Sequence, residues 1–222
     1  LGLQAAVATL TAAEAGRYLK AADYDLATII PAAPADDSLA TRADLETVYQ
    51  LQRRRTPEQI AVAASFVSTD IFQYAVVLGP WFNAHNLPFT AEFFEQVHAD
   101  RSAISGEAKE IWKRRRPPLM DPRIHACIRL PSNASYPSGH ATEAFLWANL
   151  LAEAFPAQRA ALLERAELVA WSRLIGGVHF PTDIAAGRML GERLAHDFLA
   201  RPDVRAALEH VQEEAAPFRK AP

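Results

Sequence analysis

No stretch of this chain alternates apolar and polar residues long enough to pair as a strand, while Ala, Leu, Glu and Arg recur at the three-and-four spacing of a helix face. Such a chain has to bury its apolar surface helix against helix, so the expected fold class is all-α, a helical bundle. Its 222 residues are half hydrophobic and 22% charged, enough for one core to offset the entropy of folding. A single domain over 1–222 is expected, and a disordered or low-complexity chain is excluded. The formal net charge of -3 removes any general attraction to nucleic acid or anionic lipid. The most apolar runs, Tyr74 to Phe82 and Ala144 to Phe155, are broken by Gly79, Pro80, Asn149 and Glu153. Both are too short to cross about 30 Å of hydrocarbon, so no membrane span is expected. The chain opens at Leu1 with no Met and no basic segment before an apolar one, which leaves a removed leader, and hence secretion, allowed. Cys127, the one cysteine, has no partner for an internal disulfide, and its HACIRL surroundings read as a packed thiol rather than a nucleophile.

Proline, glycine and capping residues divide the chain into helices. The periodicity predicts helices over Leu3 to Ala21, Ser38 to Arg54 and Thr56 to about Val77, the last opened by a Thr cap, Pro57, and Gln59 at capping-box spacing. Ile29 to Asp37, with two prolines, is a loop, as is the stretch from Gly79 to Pro88. Thr90 is expected to cap a helix through Ala103, and Ser105 or Gly106 to open a shorter one through Arg115. Pro117 to Pro137, with five prolines, forms one long loop of the kind that carries function in compact domains. Helices follow at Ser138 to Ala154, Pro156 to Gly176, Thr182 to Ala200 and Pro202 to Ala215, then a frayed tail over 216–222. The sequence holds no internal repeat.

Three segments carry chemistry. The first, Lys109 to Pro117, holds four Lys or Arg in succession from Lys113 to Arg116. Cations at a helix end ordinarily complement the helix dipole and stay solvated. Lys109 and Arg116, however, lie seven apart, two helical turns, so both are placed to point at one anion, with Arg116 as a fork for phosphate oxygens. The second segment, Ser135 to Thr142, sets Pro137-Ser138-Gly139 where loop becomes helix. That exposes unpaired amides, adds a hydroxyl and lets a ligand approach the backbone. An ordinary Ser cap with an incidental His140 fits the same residues; an anion seat with a titratable proton at its edge is the sharper reading. The third segment, Ser172 to Asp183, places Arg173 near a helix end, Gly176 and Gly177 at its stop, and His179 on the tight connection before Pro181 and Thr182. Asp183, in the next first turn, can accept from one ring nitrogen and leave the other free to attack or to bind metal. A lone His in such a loop is more often structural. Together the segments supply cations, an anion seat, an oriented nucleophile and an acid, the parts of one phosphoryl-transfer site.

The spacing Lys109-x6-Arg116-Pro117, Pro137-Ser138-Gly139-His140 and Ser172-Arg173-x5-His179-x3-Asp183 resembles the three-part signature of the type 2 phosphatidic-acid phosphatase superfamily. That group includes bacterial class A non-specific acid phosphatases, membrane lipid phosphatases and vanadium haloperoxidases. The likeness to the class A acid phosphatases extends through Asp36-Asp37-Ser38, the helix before Lys109 and the SYPSGH run. The resemblance implies an all-α phosphomonoesterase working through a phosphohistidine, with no metal or other cofactor and with vanadate as an inhibitor. By it, Lys109, Arg116, Ser138, Gly139 and Arg173 bind phosphate, His179 attacks phosphorus, His140 protonates the leaving group and Asp183 orients His179. It further implies a small phosphorylated substrate, no nucleic-acid partner and a periplasmic or secreted location, and leaves a homo-oligomer open.

Ala141 departs from the hydroxyl residue usual after the His in acid phosphatases, without removing a catalytic group. Lys113, Arg114 and Arg115 have no place in the signature and are read as solvated or at the substrate rim. His85, His98, His125, His196 and His210 match no signature position and are read as structural or surface. A leaving-group pocket is expected from residues around Leu87 to Phe94 and from Leu119 to Ser135. Three other readings stand beside the phosphatase. One is a vanadium haloperoxidase, since vanadate mimics the trigonal-bipyramidal phosphoryl transition state, although the chain is short for it. Another is a lipid phosphate phosphatase, against which the lack of membrane helices weighs. The last is a catalytically dead anion-binding module, against which the complete set His179, Asp183 and His140 weighs.

Overall fold

The computed structural model describes residues 13–219. Among them no strand occurs, as the missing alternation demands. The helices are α1 (Leu26–Ile29), α2 (Leu39–Arg54), α3 (Pro57–Ser65), α4 (Ala75–Leu78), α5 (Pro88–Trp112), α6 (Pro117–Met120), α7 (Gly139–Ala154), α8 (Arg159–Ile175), α9 (Pro181–Ala200) and α10 (Pro202–Arg219). None is long and apolar enough to cross a membrane.

α7 is apolar nearly all round, and residues such as Phe145, Leu146, Trp147, Leu150 and Leu151 are buried. A helix of that kind has to be surrounded, and α5, α8, α9 and α10 pack around it. α9 comes closest because Gly187 and Gly191 face it. A Cβ on Gly187 would lie 2.6 Å from the Ser138 carbonyl oxygen, and one on Gly191 would collide with that of Thr142. The approach sets the first turns of α7 and α9 side by side, with the Ser138 amide donating to the Asp183 carbonyl at 3.0 Å. A small satellite cluster, Val48, Ile124 and Phe180, ties α2 to the loop after α6 and to the start of α9.

Local capping signals hold: the Ser38 and Ser138 hydroxyls accept from the amides three residues on, and Thr56 with Gln59 closes a capping box. The stretch expected to be one loop over Pro117 to Pro137 opens with a single helical turn, α6, started by its two prolines, and four other boundaries differ from the sequence reading. Part of the helix expected over Leu3 to Ala21 lies outside the described residues, and 13–20 are not helical, because the amides of residues 16 to 19 all bend onto the buried Asp100 carboxylate at 2.7 to 3.2 Å. The helix from Thr56 stops at Ser65, and Asp70 caps the Phe72 amide to start a 3-10 turn that leads into α4. The two helices expected around Gly106 are one, α5. Pro88 opens it, Glu214 of α10 accepts from the Phe89 and Thr90 amides, and burial of Val97, Ile104 and Ala108 outweighs the ~1 kcal/mol that Gly106 costs a helix. α10 runs through Arg219, past the point expected to fray, because Ala215 is buried and Phe218 packs on the core.

Candidate active site

His179 lies on the connection between α8 and α9. Gly177 turns there with a φ of +71, where a Cβ would meet the Ala126 backbone at 3.3 Å, and the Cys127 amide donates to the Gly176 carbonyl at 3.1 Å. Pinned in this way, His179 is only 2% exposed. Its Nδ1 is 3.1 Å from Asp183 Oδ2 and its Nε2 is 3.2 Å from Arg116 Nη1. Arginine has only donors to offer, so Nε2 is the unprotonated nitrogen and Nδ1–H donates to Asp183. Burial pushes the imidazole pKa well down, and the Arg116 and Lys109 charges add to that against the pull of Asp183, so the ring is neutral.

Asp183 is fully buried and accepts from four donors: His179, the Phe180 amide at 3.0 Å, Ser135 Oγ at 2.5 Å and Arg114 Nη1 at 2.7 Å. Burial alone would raise its pKa; the bond to His179 and the Arg114 charge bring it below the ordinary value. Arg114 overturns its reading as solvated or at the rim. Its side chain is 1% exposed, bridges Asp183 to Asp44 of α2 at 3.0 Å, donates to Thr41 and Thr182, and lies over the Phe180 ring. Arg115 and Lys113 are at the surface as expected, Arg115 paired with Asp36.

Lys109 and Arg116 do meet, though not on one helix face. α5 ends at Trp112, Lys113 takes a left-handed φ of +46, and the chain doubles back to bring Arg116 to the loop around Asn133. Lys109 Nζ donates to the Ala134 and Pro137 carbonyls at 2.7 Å each, and Arg116 to the Asn133 side chain and the Val178 carbonyl, also at 2.7 Å. Burial, aided by the Arg116 charge, lowers Lys109 to about 7; burial brings Arg116 and Arg173 to about 10. Arg173 donates to the Ala63 carbonyl at 2.6 Å. Ser138 is buried, its hydroxyl capping α7. His140 is half-buried, with Nε2 3.4 Å from the Val67 carbonyl, and burial with the Arg173 charge lowers it to about 4.

Lys109, Arg116, Gly139, His140 and His179 line a cavity of about 430 Å³, and Arg173, His140 and His179 line an adjoining one of about 360 Å³. Ser138 and Asp183 stand directly behind them, so all eight predicted site residues converge. Further walls come from Val67 to Thr69, from the α5 face between His98 and Gly106, and from Ile128 to Asn133; Leu87 to Phe94 is not among them, since Leu87, Phe93 and Phe94 sit in the core. His98, read as structural or surface, lines the first cavity and pairs with Glu143, which also takes Arg101 and Thr69. Sequence reasoning missed Asp44, Arg114, Ser135 and the Arg101–Glu143 pair. A signal existed for two: Asp44 shares a buried face with Thr41 and Val48, and Arg101 one with Val97, Ile104 and Ala108, and a charge on a buried stripe calls for a partner. A larger cavity of about 560 Å³ between α4 and α8 holds none of the predicted residues. Among the described residues, no group of His, Cys, Asp or Glu is arranged to hold a metal ion.

Residues 97–202 match the model of the PAP2 superfamily. They form a PAP2 superfamily domain. This is the superfamily to which the motif spacing pointed, and the eight predicted site residues, Lys109 to Asp183, all fall inside the PAP2 domain. An acid phosphatase of Zymomonas mobilis subsp. mobilis is 29% identical over 146 residues, 64% of this chain and 55% of that protein, so the match spans about half of that relative. A non-specific acid phosphatase of Salmonella typhimurium is 28% identical over 196 residues, 83% of this chain and 78% of its own. Two solved structures share the PAP2 helical fold. One is a bacterial vanadium-dependent iodoperoxidase, with a TM-score of 0.62 and 19% identity over 80% of this chain and 52% of the other. The second is a transmembrane PAP2-type phosphatidylglycerolphosphate phosphatase from Bacillus subtilis, with a TM-score of 0.51 and 24% identity over 78% and 89%.

Proposed function

We propose that this protein is a phosphomonoesterase of the acid phosphatase kind, acting through a phosphohistidine at His179. The observation that carries the reading is the setting of that ring: Nδ1–H held by Asp183, and Nε2 unprotonated and facing Arg116 beside Lys109. A neutral imidazole whose lone pair points among cations suits attack on a phosphorus whose oxygens those cations hold. In the first step the Nε2–P bond forms as the P–O ester bond breaks, and the leaving oxygen takes a proton from His140. In the second, His140 takes a proton from water, the water oxygen bonds to phosphorus, and the N–P bond breaks to release phosphate. Arg116 gives up Nε2 as phosphorus arrives and gains phosphate oxygens in exchange. Lys109, Arg116 and Arg173, with the N-terminal end of α7, meet the transition-state charge, so the reading requires no metal. The relatives named acid phosphatase support a phosphatase. The proposal includes a periplasmic or secreted location, which fractionation of the producing cells tests.

The purified chain is expected to hydrolyse p-nitrophenyl phosphate in the presence of a chelator, with vanadate as a competitive inhibitor. His179→Ala is expected to lower kcat by on the order of 10⁴-fold and to abolish trapping of phosphoenzyme from labelled substrate. Near-wild-type turnover in that variant would sink the assignment. Bromide or iodide oxidation with added vanadate and peroxide, in place of ester hydrolysis, would favour the haloperoxidase.

A further inference from the structure

The cavity of about 430 Å³ falls in the range of about 300 to 1,000 Å³ that encloses whole small molecules, so it has room for more of a substrate than its phosphate. Lys109 stands at the phosphate end. The same face of α5 continues along the cavity to Ser102 and His98, four residues apart and stacked one turn over the other. Ser102 is exposed and the His98 side chain is 41% exposed, so a ligand can touch both. His98 is nevertheless fixed in place. Its Nδ1 bonds to the buried carboxylate of Glu143, which Arg101 and Thr69 hold as well. Burial alone would raise the Glu143 pKa, but the Arg101 charge and the bond to His98 bring it to about 2, so the carboxylate is ionised and accepts the Nδ1 proton. Nε2 is then the polar atom that the ring has left to offer, and among the described residues nothing bonds to it or to the Ser102 hydroxyl.

Glu143 also decides where that atom stands. It lies four residues, about 6 Å, along α7 from Gly139, on the wall that carries His140. With phosphate at the N-terminal end of α7 and the leaving oxygen at His140, the departing group extends past His140 toward His98 and Ser102. Nε2 accepts a hydrogen bond when the ring is neutral and donates one when it is charged, and the Ser102 hydroxyl does both. A hydroxyl answers either state, whereas an apolar group answers neither.

We propose that His98, held by Glu143, and Ser102 form a leaving-group subsite that selects hydroxyl-rich alcohols, such as sugars, as the part of the substrate released. This rests on the phosphatase reading above and names the residues that set its preference.

The test is steady-state kinetics of the full chain on glucose 6-phosphate and cyclohexylmethyl phosphate, two primary phosphate esters of which only the first carries hydroxyls on its ring. The wild type is expected to favour glucose 6-phosphate by about tenfold or more in kcat/KM. His98→Ala is expected to cut that preference about tenfold and Ser102→Ala about threefold, mainly through KM. His98→Gln, whose amide can still give and take hydrogen bonds, is expected to recover part of the loss. A wild type without the preference overturns the subsite, and so do equal losses on the two esters, which a merely structural His98 would give. Ser102→Ala removes an exposed hydroxyl, so its thermal midpoint is expected to hold, which separates a binding loss from misfolding. p-Nitrophenyl phosphate keeps the two readings apart: turnover of it alone strikes the subsite, whereas no turnover of any of the three esters strikes the phosphatase reading. Binding then decides the subsite. In calorimetry the chain is expected to hold glucose 6-phosphate about tenfold more tightly than cyclohexylmethyl phosphate and His98→Ala to remove the difference, and equal binding in the wild type overturns it.

Discussion

In the proposed mechanism His140 faces a requirement opposite to that on His179: it has to arrive carrying a proton. Burial and the Arg173 charge hold its pKa at about 4 in the free site, so the free enzyme has mostly lost that proton well below neutrality. A phosphate dianion bound beside it raises the pKa, because the charged imidazolium then has an anion to face. kcat/KM reports the free enzyme and kcat the complex. With glycerol 2-phosphate, whose alkoxide needs protonation, the alkaline fall of kcat is therefore expected at higher pH than that of kcat/KM; coincident limbs would remove the argument. His140→Ala is expected to lower kcat on glycerol 2-phosphate by about 10² to 10⁴-fold, and far less on p-nitrophenyl phosphate, whose leaving group needs little help. Equal damage to both would assign His140 to holding phosphate. Residues of this kind were legible in the sequence because each belongs to a short motif whose members act on one another locally, His179 with Asp183 and Ser138 with the first turn of α7. Arg114 was not, because its partner Asp44 lies seventy residues upstream and nothing near position 114 distinguishes it from the two cations beside it that face solvent.

At the level of helices, the crossing of α7 and α9 determines whether the parts of the site meet. Gly187→Ala puts a methyl group 2.6 Å from the Ser138 carbonyl, which neither backbone can yield without moving Ser138 away from Asp183. A destabilisation of about 1 to 3 kcal/mol in urea unfolding is expected, together with a fall in kcat. Gly106→Ala is the counterpart: the position is helical with open space around it, and a gain of about 0.5 to 1 kcal/mol is expected. Equal effects of the two alanines would show that the crossing is not tight. Helix starts at Ser38, Thr56 and Ser138 were readable because a cap is decided within four residues. The single α5 and the early stop of α3 were not, because Glu214 and Asp70 decide them through bonds that periodicity does not register.

For the molecule as a whole, the superfamily match is narrower than the machinery. Asp44 on α2, the Ala63 carbonyl on α3 and the Val67 wall all precede residue 97, and Glu214 of α10, which caps α5, lies beyond residue 202. A fragment of 97–202 expressed alone is expected to give a broad, non-cooperative melt by circular dichroism and no turnover of p-nitrophenyl phosphate, whereas 13–219 is expected to melt cooperatively and to turn it over. An active, cooperatively melting fragment would contradict this. The run of alternating charge from Asp44 through Arg114 to Asp183 joins three stretches far apart in the chain. Removing one member strands a buried charge, at a cost of about 3 to 5 kcal/mol, while replacing a matched acid and cation together is far milder. Positions 44, 114 and 183 are therefore inherited together: Arg114 sits between two buried acids, and a descendant of this chain that loses the cation or either acid alone is the sequence that selection removes.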